Sequence, residues 1–115
     1  MRYLLLIGND TKTGPQPSAA ESQARLEAFM RFSEAASKAG KTVVAERLRP
    51  EAEASRLRVK AGHHQITDGP FAETKEALGG FYLLECASRE EALEWAKKVP
   101  IGDGGIVDVR PIWQM

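Results

Sequence analysis

The densest group of side chains able to do chemistry lies between Asp68 and Glu76, in the run Asp-Gly-Pro-Phe-Ala-Glu-Thr-Lys-Glu. It places three carboxylates and one amine within nine residues, and such groups can exchange protons with a substrate or hold it by charge. Asp68 is the first candidate, because the rigid Gly69-Pro70 turn would hold its carboxylate as a general base or as an anchor at the mouth of a cleft. The alternative is that this carboxylate caps its own turn, as Asp before Gly often does.

The charges after the turn, Glu73 and Lys75, allow two interpretations. They reach into a pocket and contact a ligand, or they belong to a solvated surface segment, as runs of charge usually do. Glu73 lies nearest the Pro70-Phe71 corner and is therefore the acid expected to enter the site. Under the first interpretation, Glu73 and Lys75 are both predicted to bind the ligand.

The chain has two histidines, His63 and His64. Adjacent residues of a strand point to opposite faces, so the two cannot enter one site together. His64 is predicted to act as an acid or base with Asp68 across the turn, and the alternative is a surface role on a hairpin. No third ligand is spaced to complete a metal site, and the sequence has no phosphate-binding or dinucleotide motif, so neither a metal nor a cofactor is expected.

Tyr82 and Arg110 are expected on strands. The Tyr82 phenol either lines a pocket or packs in the core. Arg110 either binds a carboxylate of a ligand or, if it points to the interior of the sheet, needs an acidic partner, for which Asp68, Glu73 or Glu85 would serve. Both Tyr82 and Arg110 are therefore candidate ligand-binding residues.

The elements that must position these residues follow from periodicity, turns and caps. Ser18 with Glu21, and Ser88 with Glu91, form two capping boxes, which predict the first turns of two helices. Apolar residues at every second position predict strands, and Ala61-Gly62 is typical of a hairpin turn. Helices are expected over 18–39 and 88–99, and strands over 2–7, 42–48, 56–60, 63–67, 80–87 and 106–113.

The order of these elements is β-α-β, an inserted hairpin, then β-α-β. This order is typical of the split βαβ, ferredoxin-like arrangement of the α+β class. Both helices then lie on one face of an antiparallel sheet. The first helix would present one shared face, made of Leu26, Phe29, Met30, Ser33 and Ala36.

The strands over 2–7 and 80–87 carry apolar residues on both faces. Helices on one side only would leave the second face in water, as an apolar patch larger than a monomer usually exposes. A second copy that packs its own sheet on this face removes the patch. We therefore expect a homodimer in which two sheets form a dimeric α+β barrel.

Chain length, net charge, apolar runs and cysteine content limit the domain number, the partners and the location that fit this sequence. A chain of 115 residues predicts one domain, spanning residues 1–115. The formal net charge of zero argues against a nucleic-acid partner, which needs a basic excess. No run approaches the ~20 apolar residues of a membrane span. The single cysteine, Cys86, excludes an internal disulfide, fits a cytoplasmic location, and is expected to be a small buried apolar residue.

Nearly the whole chain resembles a known family. The likeness is carried by Thr67 to Glu76, Gly79-Gly80-Phe81-Tyr82, Val109-Arg110-Pro111, Met1 to Ile7, and Glu91 to Ala96 before Pro100. These segments resemble the DGPF-motif branch of the YCII-related family. The resemblance implies a ferredoxin-like fold in dimeric α+β barrels, mostly in bacteria.

The resemblance also bears on one activity. The shorter YCII branch is similar to enzymes with a His–Asp pair, and related sequences are linked to removal of chloride from chlorinated aromatic diols. In that branch the His lies in the first helix, and the Asp precedes a Pro after the second helix. In this sequence the first predicted helix has no histidine, and Val99 precedes Pro100. The pair therefore cannot be carried over.

Three functions stay open at this point. The first is binding of a small polar or aromatic molecule in a pocket beside the Asp68 loop of a homodimer. The second is a cofactor-free lyase or isomerase that uses Asp68 with a histidine or Glu73 in acid–base catalysis. The third is a structural or regulatory dimer without catalysis, in which the motif only folds the loop.

Overall fold

The computed structural model describes residues 1–10, 18–71 and 76–114. Within these ranges the elements, in chain order, are β1 (Arg2–Asp10), α1 (Ala19–Lys38), β2 (Thr42–Arg47), a 3₁₀ helix (Glu51–Glu53), β3 (Ser55–Lys60), β4 (His63–Asp68), β5 (Glu76–Glu85), α2 (Arg89–Lys97) and β6 (Gly105–Pro111).

The main sheet has the strand order β2-β5-β1-β6, and every neighbouring pair is antiparallel. The strands β3 and β4 form a separate two-stranded hairpin between the two β-α-β halves. This is the ferredoxin-like α+β topology with an inserted hairpin, so the predicted fold class is confirmed. No helix in the described ranges is long and apolar enough to cross a membrane.

Both helices begin at the predicted serine caps. The Ser18 hydroxyl accepts a hydrogen bond from the Glu21 amide at 3.1 Å, and the Ser88 hydroxyl accepts one from the Glu91 amide at 3.2 Å. Each bond satisfies an amide that the first helical turn leaves without a partner. The Glu91 carboxylate also accepts from the Ala87 amide at 3.3 Å, which fixes the entry of the chain into α2.

The core lies between the helices and one face of the sheet, called here the inner face. Alternation along β1 and β5 sends every second side chain into this layer, where those side chains meet Phe32 of α1 and Ala92 of α2. The buried hydrophobic residues are Tyr3, Leu5, Ile7, Phe32, Ala36, Tyr82, Leu84, Cys86, Ala92 and Val99. The predicted burial of Cys86 is confirmed, since its residue is 2% exposed, and burial raises the pKa of its thiol.

The opposite side of the sheet, called here the outer face, is also apolar at its centre. The register pairs Leu4 with Leu83 and Leu6 with Phe81, and these four side chains are half-buried. None of the four belongs to the core cluster. The two helices therefore cover one face of a sheet that is apolar on both.

The strand β5 begins at Glu76, earlier than the predicted start at residue 80. The β1 ladder pairs Gly8 with Leu78 and Ile7 with Gly80. Gly79 is left as the extra residue of a β-bulge, and the ladder continues past it on both sides. A Gly-Gly pair by itself suggests a break in a strand. Here the ladder with β1 keeps both glycines within β5, which is a central strand.

One ion pair lies where the loop before β2 meets α2. The Lys41 ammonium lies 2.9 Å from the Glu91 carboxylate, and both side chains are about one-third exposed. The hydrogen bond from Lys41 holds the pKa of Glu91 below its usual value, and the same bond raises the pKa of Lys41. This ion pair ties the loop before β2 to the first turn of α2.

The pair predicts a pH-dependent loss of stability. A carboxyl group whose pKa is lower in the folded state stabilises the fold above its unfolded pKa, and this contribution is lost as pH falls through the folded pKa. We expect Glu91→Gln to lower the thermal midpoint at neutral pH, and the difference from the wild type to shrink below about pH 4. Thermal denaturation followed by circular dichroism over a pH series measures both.

The matched control is Glu90→Gln, at an exposed position in the same helical turn. It removes the same charge near the helix N-terminus but leaves the Lys41 pair intact. A Glu91→Gln deficit that stays constant from neutral to acid pH would show that the ion pair is not its cause.

Candidate functional site

A cleft of about 610 Å³ lies between α1 and the inner face of the sheet. Helix α1 forms one wall, and the strands β1, β2 and β5 form the floor. The described residues that line it are Ile7, Asn9, Glu21, Ser22, Arg25, Leu26, Phe29, Met30, Ser33, Ala45, Glu46, Arg47, Gly79, Gly80 and Tyr82.

The glycine pair of β5 shapes the floor. A Cβ atom at Gly80 would lie 2.8 Å from the main-chain oxygen of Glu46, so β2 can approach β5 here only because Gly80 has no side chain. At Gly79 the nearest atom to an added Cβ is the oxygen of Ile7 at 3.9 Å, which is an ordinary contact. The two glycines thus differ: Gly80 is required by packing, and Gly79 is not.

Tyr82 stands in the floor of the cleft with its hydroxyl towards α1. That hydroxyl lies 2.7 Å from the Ser33 hydroxyl, and either oxygen can be the donor. The Tyr82 ring packs edge-on against Phe32, with the ring centroids 5.0 Å apart. Tyr82 is only 8% exposed, so the phenol both packs in the core and lines the cleft, and the two alternatives for this residue are realised together.

Besides this polar pair, the lining of the cleft contains both apolar and charged side chains. Leu26, Phe29 and Met30 belong to the predicted shared face of α1, while Ile7 and Ala45 belong to the floor. The charged residues are Glu21 and Arg25 on α1 and Glu46 and Arg47 on β2. The cleft is therefore amphipathic, which suits a molecule with an apolar body and a polar group.

Asp68 lies elsewhere, at the end of β4, and is exposed. Its carboxylate accepts a hydrogen bond from the Ser55 hydroxyl at 3.2 Å, across the hairpin. Among the described residues this is a bond to a side chain of the neighbouring strand. Asp68 is also not among the described residues that line the cleft.

His64 is exposed and pairs with Val59 in the hairpin. It shares a strand face with Asp68, but four residues along a strand separate them by about 13 Å. One protomer therefore does not bring these two predicted catalytic residues within hydrogen-bond reach.

The Gly69–Phe71 corner follows the hairpin in the chain and packs against the 3₁₀ helix. The Gly69 amide donates to the Ala54 carbonyl at 2.8 Å, and a Cβ atom at Gly69 would overlap the main-chain oxygen of Glu51. The Arg56 guanidinium lies 3.9 Å from the centre of the Phe71 ring, within the range of a cation–π contact. These contacts give the corner a structural role.

Of the remaining predicted ligand-binding residues, the structure describes one, Arg110, and it does not line the cleft. Arg110 pairs with Leu4 in the sheet ladder, which puts it at an exposed position on the outer face. Glu73 and Lys75 lie outside the described residues. Within the described part of the chain, no group of three or more His, Cys, Asp or Glu side chains could hold a metal ion.

Comparison with known proteins decides the family. The sequence model of the YCII-related domain matches residues 1–115. An uncharacterised protein of Rhizobium meliloti (strain 1021) is 38% identical over 114 residues, which cover 97% of this chain and 92% of the relative. The chain belongs to the YCII-related family.

This YCII-related protein lacks the His–Asp pair at the two positions where the family resemblance would place it. Helix α1 contains no histidine. Val99, before Pro100, is buried in the core. A carboxylate at this position would stand without water or a partner, so the packing here fits an apolar side chain.

Sequence reasoning missed Arg25, Ser22 and Arg47 in this YCII-related protein. Each looks like an ordinary solvated residue, because it lies at an exposed position of a helix or strand. Ser33 had a visible signal, since it was the polar member of the shared face of α1. A hydroxyl within an otherwise apolar helix face indicates a polar partner across the interface.

The two glycines of the floor give a prediction with an internal control. We expect Gly80→Ala to destabilise the YCII-related protein by about 1–3 kcal/mol, because the added methyl group meets the main chain of β2. Gly79→Ala, one residue away, has room for its methyl group and should change stability by less than about 1 kcal/mol. Urea denaturation of both variants measures the difference. Equal losses for the two would contradict the close approach at Gly80.

Proposed function

We propose that this YCII-related protein is a homodimer that binds a small molecule with an apolar or aromatic body in the cleft between α1 and the sheet. The observation that carries the proposal is the cleft with the Tyr82–Ser33 pair in it. The site is thus assigned to the Gly79-Gly80 end of the motif region and not to the Asp68 turn.

The dimensions and lining of the cleft support binding of a small molecule. A volume of about 610 Å³ lies within the range of small-molecule sites, which are mostly apolar with a few placed polar groups. Phe29 and Leu26 offer an apolar wall to the body of the ligand. Burial of that body would supply the main favourable free energy.

The hydroxyl groups of Tyr82 and Ser33 can orient the ligand in the cleft. The oxygens of Tyr82 and Ser33 share one hydrogen bond, and each keeps further capacity to donate or accept. A polar group of the ligand can therefore join this pair as a donor or as an acceptor. Such a pair orients a ligand without requiring that it be charged.

A blocking variant tests the proposal. Ser22 lines the cleft from an exposed position on α1, so Ser22→Trp places an indole across the opening without disturbing the core. We expect phenol and benzoate, added as probes, to shift the amide resonances of Phe29, Ser33 and Ala45 in the wild type. The same probes should leave these resonances unchanged in Ser22→Trp.

The control is Ser37→Trp, which adds the same indole at an exposed position near the other end of α1. It should keep the wild-type response. If neither probe perturbs the cleft resonances of the wild type, or if both tryptophan variants respond alike, the cleft is not the binding site.

The dimer part of the proposal is supported by the amount of exposed surface. The chain exposes 8467 Å², whereas a compact monomer of 12.6 kDa exposes about 6,200 Å². The excess is larger than the roughly 800 Å² that each partner buries in an interface of standard size. A second copy seated on the outer face, over Leu4, Leu6, Phe81 and Leu83, would remove part of it.

The hairpin offers a second surface for the same partner. The register puts Leu57, Ile66 and Val59 on one face of the hairpin, and they are 57%, 75% and 66% exposed. A two-stranded hairpin is marginally stable by itself. Contact with a second copy would cover these side chains and hold the hairpin in place.

Sedimentation velocity tests the dimer. We expect the wild type to sediment as a dimer at micromolar concentration. Leu6→Lys introduces a charge at the centre of the outer face and should weaken association at least about tenfold, because an unpaired buried ammonium is costly. Ala35→Lys adds the same charge at an exposed position of α1 and should remain dimeric. A monomeric wild type would overturn this part of the proposal.

A further inference from the structure

The charged residues of the cleft include two arginines on different elements. Arg25 extends from α1, and Arg47 stands near the end of β2. The sheet register pairs Arg47 with Gly80 and Ala45 with Tyr82, which puts Arg47 on the inner face. Two arginines therefore line the same cleft, one from the helix and one from the sheet.

The Arg25 side chain spans from α1 to the loop before β6. One of its terminal nitrogens, Nη2, would lie only 2.6 Å from a Cβ atom at Gly102. The guanidinium thus lies close over the glycine main chain, where a larger residue would displace it. This packing places the Arg25 guanidinium beside the loop before β6, although the residue as a whole is exposed.

In the described part of the chain, carboxylates do not neutralise these two arginines. Glu34 and Lys38, one turn apart in α1, form an ion pair at 2.9 Å. Glu21 and Arg25 have the same spacing, yet no ion pair joins them, and within residues 1–10, 18–71 and 76–114 neither Arg25 nor Arg47 forms one with any carboxylate. Their donors are available to a ligand.

The acids near the cleft leave an excess of positive charge at its opening. Glu46 pairs with Phe81 in the register, so its carboxylate belongs to the outer face, and its main-chain oxygen is what approaches Gly80. Glu21 is then the one described carboxylate that faces the two arginines from the cleft lining. An anion entering here meets more positive than negative charge.

We infer that the ligand of this cleft carries a terminal oxyanion, a carboxylate or a phosphate monoester, on a small apolar body. This inference rests on the proposed function and names the class of molecule that the same site takes. Guanidinium groups bind such oxyanions through paired, charge-assisted hydrogen bonds. The apolar body then lies against Phe29 and Leu26, and a polar substituent can reach the Tyr82–Ser33 pair.

Matched probes separate the anion from the apolar body. Benzoate and benzamide have nearly the same shape, but only benzoate is charged, and phenyl phosphate tests the second kind of oxyanion. We expect benzoate or phenyl phosphate to bind about tenfold more tightly than benzamide in titrations followed by NMR. This preference should weaken as the salt concentration approaches about 1 M, because the contact is between charges near solvent.

Three variants of the full chain assign the preference to residues. Arg25→Gln and Arg47→Gln should each weaken binding of the preferred anion by about three- to tenfold and leave benzamide binding within about twofold. Glu21→Gln should strengthen anion binding, because it removes the opposing charge. Arg31→Gln, at an exposed position of α1 outside the cleft lining, is the control and should bind like the wild type.

The outcomes distinguish this inference from the proposed function. If benzamide binds as tightly as both anions, or if Arg31→Gln weakens anion binding as much as Arg25→Gln, the oxyanion inference is overturned while the cleft remains a binding site. If none of the three probes perturbs the cleft resonances, both fail. Circular dichroism of each variant confirms that a loss of binding does not come from a loss of fold.

Discussion

The central constraint on this protein is that β1 and β5 are apolar on both faces, while two helices can cover only one. Side chains alternate along a strand, so each central strand supplies two separate apolar surfaces. On the inner face these surfaces meet Phe32 and Ala92 and form the core. On the outer face Leu4 and Leu83 are partners in the sheet register, and neither belongs to the core cluster. The core, the cleft and the proposed dimer surface all follow from this division.

The cleft exists because the inner layer is not filled evenly. Where β5 carries Leu84 the helices pack closely on the sheet, but where it carries Gly80 there is no side chain to meet α1. The same glycine lets β2 approach until its main chain closes the floor. One missing side chain therefore has two effects, a tight strand pair below and an open space above. The Tyr82–Ser33 pair stands at the boundary between the packed and the open regions.

The sequence was sufficient for the fold and only partly sufficient for the site. Helix starts, strand alternation and the inserted hairpin are local patterns, and the serine caps at Ser18 and Ser88 show that local chemistry was decisive there. The cleft combines residues from α1, β1, β2 and β5, and no local pattern marks Arg25 or Arg47 as neighbours. The high density of charged residues made Asp68 the first candidate for a site residue, but its described contact is a cross-strand hydrogen bond from Ser55. Among the predicted site residues that the structure describes, Tyr82 alone lines the cleft, because its place on the inner face follows from strand alternation.

The position of the cleft relative to the outer face has a consequence for how two sites in one assembly would communicate. The cleft opens on the helix side of the sheet, and a partner seated on the outer face would lie on the other side. Two copies joined in this way would carry their clefts on opposite surfaces, with two sheets about 10 Å apart between them. Each cleft would fill from its own side of the solvent, and the two ligands would make no direct contact. The strands β1 and β5 would then be the shared element, because they form the floor of each cleft and also carry the outer face.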